Sequence, residues 1–276
     1  MTDHRLLLYD EQTAPLQTGD LCEFLQQTFG AQIELRGEYV GFQLARVSEP
    51  TRREQREALA HDFAYLRVRK VDQPYSFAEP LPLEIEVERR RLQHDNRGSM
   101  GMALDGFSFQ ARLREMLARS EAGRGRLHII LTNRLPATWE EDDRRYHLRS
   151  IILGQPAIIS TSGLVEAPAK PREYYFLRQN LPEEELARAE LRRSFAGRFL
   201  EHDDPRLTEA TKGYLLQAAF YHFFGEAFCP KRDCRLFNAH WQEELLHAQL
   251  RPGAGLCDEH ERRVQPPPGG ACLQNK

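Results

Sequence analysis

The longest patterned stretch of the chain is apolar all the way round. From Gly213 to Gly225 it reads Gly-Tyr-Leu-Leu-Gln-Ala-Ala-Phe-Tyr-His-Phe-Phe-Gly, interrupted only by Gln217 and His222. A helix that is apolar on every side belongs in the interior. The pattern therefore predicts a buried central helix, opened by Asp204 as N-cap and Pro205 at its first position. Near the N-terminus the period is different. Leu6 to Tyr9 predicts a short buried strand. Leu21, Phe24, Leu25 and Phe29 then recur at helical spacing behind an Asp20/Glu23 capping pair, with Gly30 as the stop, and Ala31 to Leu35 predicts a second strand. Strand, helix, strand is the opening of a three-layer α/β arrangement.

The middle of the chain alternates between the two periods. Thr51 and Glu54 predict the start of a charged helix running to Leu66. After a proline-containing loop over 71–82, Leu83, Ile85 and Val87 alternate with Glu84, Glu86 and Glu88, which predicts a half-exposed strand. Asn96 to Gly101 reads as a loop without the Lys-Ser/Thr ending of a phosphate loop. Phe109, Leu113, Met116 and Leu117 mark an amphipathic helix, and Leu127 to Leu131 a β-branched strand. Ser150 to Leu153 and Pro156 to Ser162 predict two more strands. Glu166 to Tyr175, broken by prolines, predicts an extended wrap. The acidic turn Glu183-Glu184-Glu185 opens a helix to Leu200, and Asn238 to Leu250 predicts a short one. Gln265-Pro266-Pro267-Pro268-Gly269-Gly270 cannot pack, so residues 265–276 are expected to be a disordered tail behind one domain spanning 1–264.

Composition narrows the classes. With 276 residues, 41% hydrophobic and 29% charged, the chain reads as a soluble globular protein. A net charge of −3 argues against a dedicated nucleic-acid binder. No apolar run approaches the roughly 18 residues of a membrane span, and Met1-Thr2-Asp3-His4-Arg5 does not begin a signal peptide. A cytoplasmic protein is expected.

The chemistry follows directly on the central helix. Cys229, Cys234, Cys257 and His260 are zinc-type donors in two pairs, the second with the tight Cys-x-x-His spacing. Zinc takes four such donors in a tetrahedron, and close pairs held by turns supply two each. Free thiols or a disulfide are the other readings, the disulfide disfavoured in a reducing compartment.

The stretch from Ala218 to Cys229 also carries a family resemblance. Against the metzincin motif H-E-x-x-H-x-x-G-x-x-H, His222 and Gly225 match, while Ala218, Ala219 and Phe228 stand at the first ligand, the base and the third ligand. The order Cys229, Cys234, Asn238, Cys257, His260 resembles the archaemetzincins, with His260 in place of a last cysteine. Arg144-Arg145-Tyr146-His147, Glu166 to Tyr175 and His240-Trp241-Gln242 are similar to an uncharacterised prokaryotic family labelled as metallopeptidases. The resemblance implies a metzincin-like α/β (α+β) domain with a mixed sheet, a central buried helix and a zinc knuckle over 229–260. It also implies a peptidase site that has lost its ligands, since alanine and phenylalanine cannot bind zinc and a catalytic zinc takes three protein ligands.

The expected role is that of a structural-zinc protein acting through binding, with a protein or peptide partner. The alternative is a hydrolase or peptidase with a relocated site. Its candidates are His222, a second metal set of His240, Glu243 and His247 at helical spacing, or Asp142, Asp143, His147 and Thr161 around a His/carboxylate base. A zinc-ribbon nucleic-acid module is a third class, lowered by the acidic charge.

Overall fold

The computed structural model describes residues 4–11, 16–93, 101–182 and 184–264. Its first strand, β1 (Arg5–Asp10), is buried from Leu6 to Tyr9 and leads through α1 (Thr18–Phe29) into β2 (Gln32–Arg36). Gly30 takes a left-handed conformation at the end of α1, as its position after the last apolar residue requires. Then come α2 (Tyr39–Leu44), α3 (Glu49–Tyr65), α4 (Pro82–Arg91), β3 (Ala103–Asp105), α5 (Gly106–Glu115) and β4 (Arg126–Thr132). A hairpin of β5 (Leu135–Glu140) and β6 (Arg145–Leu148) precedes β7 (Ile151–Ile152), β8 (Ala157–Ser160) and α6 (Thr161–Glu166). The remainder is helical: α7 (Arg172–Gln179), α8 (Glu185–Ser194), α9 (Leu207–Phe224), α10 (Gln242–Leu250) and α11 (Asp258–Val264).

The main sheet has the order β2-β1-β4-β8-β7, with the first four strands parallel and β7 antiparallel at the edge. A smaller sheet, β3-β5-β6, is also mixed. Successive side chains of a strand face opposite ways, and the core divides accordingly. Leu6, Leu8, Ile129, Leu131 and Ile159 pack against α1 and α9, while Leu7, Tyr9, Ile130 and Ile158 pack against α2, α3 and α5. Helices therefore cover both faces in three layers, as the opening of the sequence predicts.

The apolar run from Gly213 becomes α9, buried from Leu207 through Phe220 apart from Glu209 and Lys212. It starts at Leu207 and not at Asp204. Asp204 accepts a hydrogen bond from the Arg206 amide at 2.9 Å and pairs with its guanidinium at 2.6 Å, so cap and proline form the turn before the helix. Other boundaries also shift. The α1 amide end is reached by Thr208, whose hydroxyl accepts from Gln17 N, and Asp20 lies inside the helix. Helix α3 begins after Ser48, ahead of Thr51. Helix α8 stops at Ser194, short of Leu200.

Two expectations are overturned. Residues 82–91 form a helix, not a strand. Pro82 sits in its first turn, the Glu84 carboxylate accepts from Leu81 N at 2.7 Å, and Glu84 and Glu88 share a face toward Arg67. Residues 172–179 form α7 instead of continuing the wrap; before it Glu166 ends α6, Ala167 keeps a helical backbone, and Ala169 is bridged to Trp241. The predicted loop 96–101, apart from Gly101, and the predicted tail 265–276 lie outside the described residues.

Candidate metal centre and the cleft beside the central helix

Gly225 ends α9 in a left-handed turn and turns the chain into the cysteine knuckle. Cys229 N donates to Leu236 O, Cys234 N to Lys231 O, and Lys231 N approaches the Cys229 sulfur at 3.5 Å. Arg235 N donates to Gly255 O, bridging Cys234 to the segment that carries Cys257. Cys257 precedes α11, whose first turn brings His260 round to the thiols. The ligand atoms of Cys229, Cys234, Cys257 and His260 all lie within 4.8 Å of one another.

Their separations can be set against a metal shell. Cys229 Sγ is 3.9 Å from Cys257 Sγ, and His260 Nδ1 is 3.1 Å from Cys257 Sγ and 3.9 Å from Cys234 Sγ. Zinc–sulfur bonds of about 2.3 Å arranged tetrahedrally place sulfurs about 3.8 Å apart. A disulfide would need about 2.0 Å, and all three cysteines are free thiols. Burial pushes the Cys229 and Cys234 thiols up, the latter to about 12. At Cys257 burial is outweighed by hydrogen bonds to the His260 ring and amide, which hold the thiol at about 6. The residues fit a zinc ion.

The knuckle is joined to the core. The His260 ring meets Phe220 of α9 edge-on, centroids 5.3 Å apart. Arg235, 5% exposed, donates to the carbonyls of Ala254 and Glu209 and pairs with the Glu209 carboxylate. Gln249 of α10 donates to Arg235 O at 3.0 Å and fills the space left by Gly213, where any β-carbon would come within 2.0 Å of its Oε1.

A cleft of about 550 Å³ opens on the other side of α9, between that helix, the edge strand β7, the β5–β6 hairpin and the shoulder of the knuckle. The residues that α9 presents to it are Tyr214, Gln217 and Tyr221. Ala218 and Ala219, at most 1% exposed, pack into the core instead. His222 lies on a different side of the helix from this cleft. Its Nε2–H donates to Arg124 O at 2.9 Å, its ring stands edge-on to Phe223, and burial lowers its pKa.

A family model described as "Probable metallopeptidase family (DUF6775)" matches residues 2–266. The chain belongs to this family. No curated protein matches its sequence. Among solved structures, it is similar to archaemetzincin from Methanopyrus kandleri at 12% identity and a TM-score of 0.44, over 95% of this chain and 94% of that one. It is also similar to a zinc-dependent peptidase from Methanocorpusculum labreanum at 11% identity and a TM-score of 0.40, over 95% of this chain and 100% of the other.

In this DUF6775 member, the residues around α9 do not fit a catalytic zinc. Such an ion takes three protein ligands and a water, and the helix turns tyrosine and glutamine side chains to the cleft. Of the other sequence candidates, His147 and His240 also line the cleft, but no further group of three metal donors converges among the described residues. His240 lies ahead of α10, off the helical register with Glu243 and His247, because Glu244 caps that helix by accepting from the amides of His240 and Trp241. Glu243 pairs with Arg198 at 2.8 Å and His247 with Asp233 at 2.6 Å. His147 holds Asp143 at 2.6 Å on the exposed hairpin, Asp142 joins neither, and the buried Thr161 hydroxyl donates to Thr132 O. Among the described residues, the Cys/His set is the donor group that converges. Sequence reasoning passed over Tyr214, Gln217 and Tyr221; the one signal for them was Gln217 as a polar break in an apolar helix.

Among the described residues no helix is long and apolar enough to cross a membrane.

Proposed function

We propose that this chain is a non-peptidase member of its metallopeptidase family, cross-linked by one structural zinc at Cys229, Cys234, Cys257 and His260, and acting by binding in the cleft beside α9. Zinc bound there supplies a rigid junction between the knuckle, α11 and the end of the central helix. Three thiolates and an imidazole complete its shell and leave no position open for water, which is the mark of a structural site.

The observation that carries the reading is the cleft face of α9. It offers Tyr214, Gln217 and Tyr221, His222 is committed to Arg124 O, and His147 and His240, which also line the cleft, join no group of three metal donors among the described residues. The residues that do remain in the cleft can hold and orient a ligand.

The test is an assay of the purified, zinc-loaded full chain against fluorogenic peptide libraries, with and without chelator. No chelator-sensitive cleavage is expected. Chelator-sensitive cleavage lost in His222→Ala or His240→Ala would overturn the reading in favour of a relocated metal site.

A further inference from the structure

The four donors of the knuckle are shielded unequally. Cys234 is fully buried, and Cys229 and His260 are 3% and 4% exposed. The contact of Cys234 with His260 Nδ1 lies in the interior. Cys257 is only half-buried, beside the exposed Asp258, and its contacts with Cys229 and His260 are part-buried. Oxidation of a cysteine follows its thiolate character and its access to solvent. Bound zinc keeps all three sulfurs as thiolates, and together they outweigh the charge of a divalent ion, so the shell stays anionic and electron-rich. Access then selects among them, and it favours Cys257.

A partner for a second step stands next to it. Cys229 Sγ is 3.9 Å from Cys257 Sγ, against about 2.0 Å in a disulfide. Closing that gap takes about 1.9 Å once no ion holds the sulfurs apart. The two cysteines are 28 residues apart, one behind α9 and the other at the head of α11. A bond between them would keep α11 tied to the end of the central helix, as the metal does.

We infer that this site is a peroxide-sensitive switch in which Cys257 reacts first, Cys229 resolves it, and a disulfide takes over the cross-link from the zinc. The Cys257 thiolate gives an electron pair to one oxygen of hydrogen peroxide. The O–O bond breaks, and hydroxide leaves and takes a proton from solvent to become water. The resulting sulfenic acid is attacked at sulfur by the Cys229 thiolate. The S–S bond forms, the S–O bond breaks, and a second hydroxide leaves and is protonated to water. Two thiolates are thereby oxidised to one disulfide, and one peroxide is reduced to two waters. Cys234 and His260 alone remain as donors, too few for a structural ion, and the zinc is released. The inference rests on reading these four residues as a structural zinc site.

The test treats the zinc-loaded full chain with a modest excess of hydrogen peroxide. Zinc release is followed with a chromogenic chelator, and the thiols are mapped by alkylation and mass spectrometry. The same is done in a Cys22→Ala, Cys272→Ser background, which removes the thiols outside the donor set. Zinc release should match Cys229–Cys257 disulfide mole for mole, with sulfenic acid trapped at Cys257 at early times. Dithiothreitol with added zinc should restore the starting state. The oxidised chain should resist protease after Gly225, where the reduced chain stripped by chelator is cut. The inference is overturned if Cys229 or Cys234 is oxidised before Cys257, if zinc leaves without a Cys229–Cys257 bond, or if the oxidised chain is cut as the stripped one is. Zinc that stays in the peroxide-treated chain sinks this inference alone; a chain that holds no zinc before treatment sinks the structural-zinc reading with it.

Discussion

Two regions of one helix carry different chemistry. At the end of α9, the ligand atoms of three cysteines and a histidine converge to within 4.8 Å of one another. On its flank, the helix meets a cleft with two tyrosines and a glutamine, and no group of metal donors assembles there among the described residues. The first arrangement suits an ion that holds chain segments together. A catalytic ion needs three protein ligands and an open coordination position, and among the described residues no group of three donors forms in the second.

The largest effect should come from the converged site. Cys257→Ser, or chelation of the wild type, is expected to remove the zinc and unfold the knuckle with α11. Zinc binding at structural sites of this type is worth on the order of 10 kcal/mol, comparable to the stability of a whole domain. Loss of far-ultraviolet circular dichroism and new protease cuts after Gly225 would register it. A variant that stays zinc-loaded and folded would break the comparison.

A second perturbation measures stability away from both regions. Glu88 is 1% exposed and pairs with Arg134 at 2.5 Å and Arg67 at 2.9 Å. Burial pushes its carboxyl up, but Arg134 and Arg91 outweigh burial and hold it down at about 2. Glu88→Gln strands buried guanidinium groups and should cost about 3–5 kcal/mol in urea unfolding, with zinc content unchanged. The pH dependence has a definite sign. Because the folded value lies below the unfolded value of about 4.3, the contribution is complete above that pH and is lost as pH falls from about 4.3 toward 2. The wild type should lose stability in that window and the variant should lose less.

Smaller changes probe the helix that joins the two sides. Gly213→Ala drives a β-carbon into Gln249 and breaks its hydrogen bond to Arg235 O, for a cost of about 1–3 kcal/mol seen in the melting temperature. His222→Ala removes one hydrogen bond to Arg124 O and should cost about 1 kcal/mol. Zinc content should stay the same, which sets this histidine apart from His260.

Much of this was legible in the chain, for physical reasons. The runs Leu6 to Tyr9 and Gly213 to Phe220 are buried, and their apolar character shows this without a structure. The two donor pairs are short-range motifs, and turns close to them in sequence bring the sulfurs together. Residues 82–91 misled because their alternation of Leu, Ile and Val with Glu fits a strand, while the deciding forces are Pro82 and Glu84 at the helix start and the arginines that Glu84 and Glu88 meet. His240, Glu243 and His247 do not share one helical face because α10 begins at Gln242, after Trp241, and not at Asn238. The cleft was invisible for a different reason. Phe107 comes from α5, Gln217 and Tyr221 from α9 and Phe228 from the loop after it, and only the folded chain makes them one surface.

The most direct measurement is metal stoichiometry by elemental analysis of the purified wild type beside Cys257→Ser and His222→Ala. One zinc per chain, absent from Cys257→Ser and retained in His222→Ala, is the predicted result. A wild type without zinc, or a second bound metal that leaves with His222, would contradict the account.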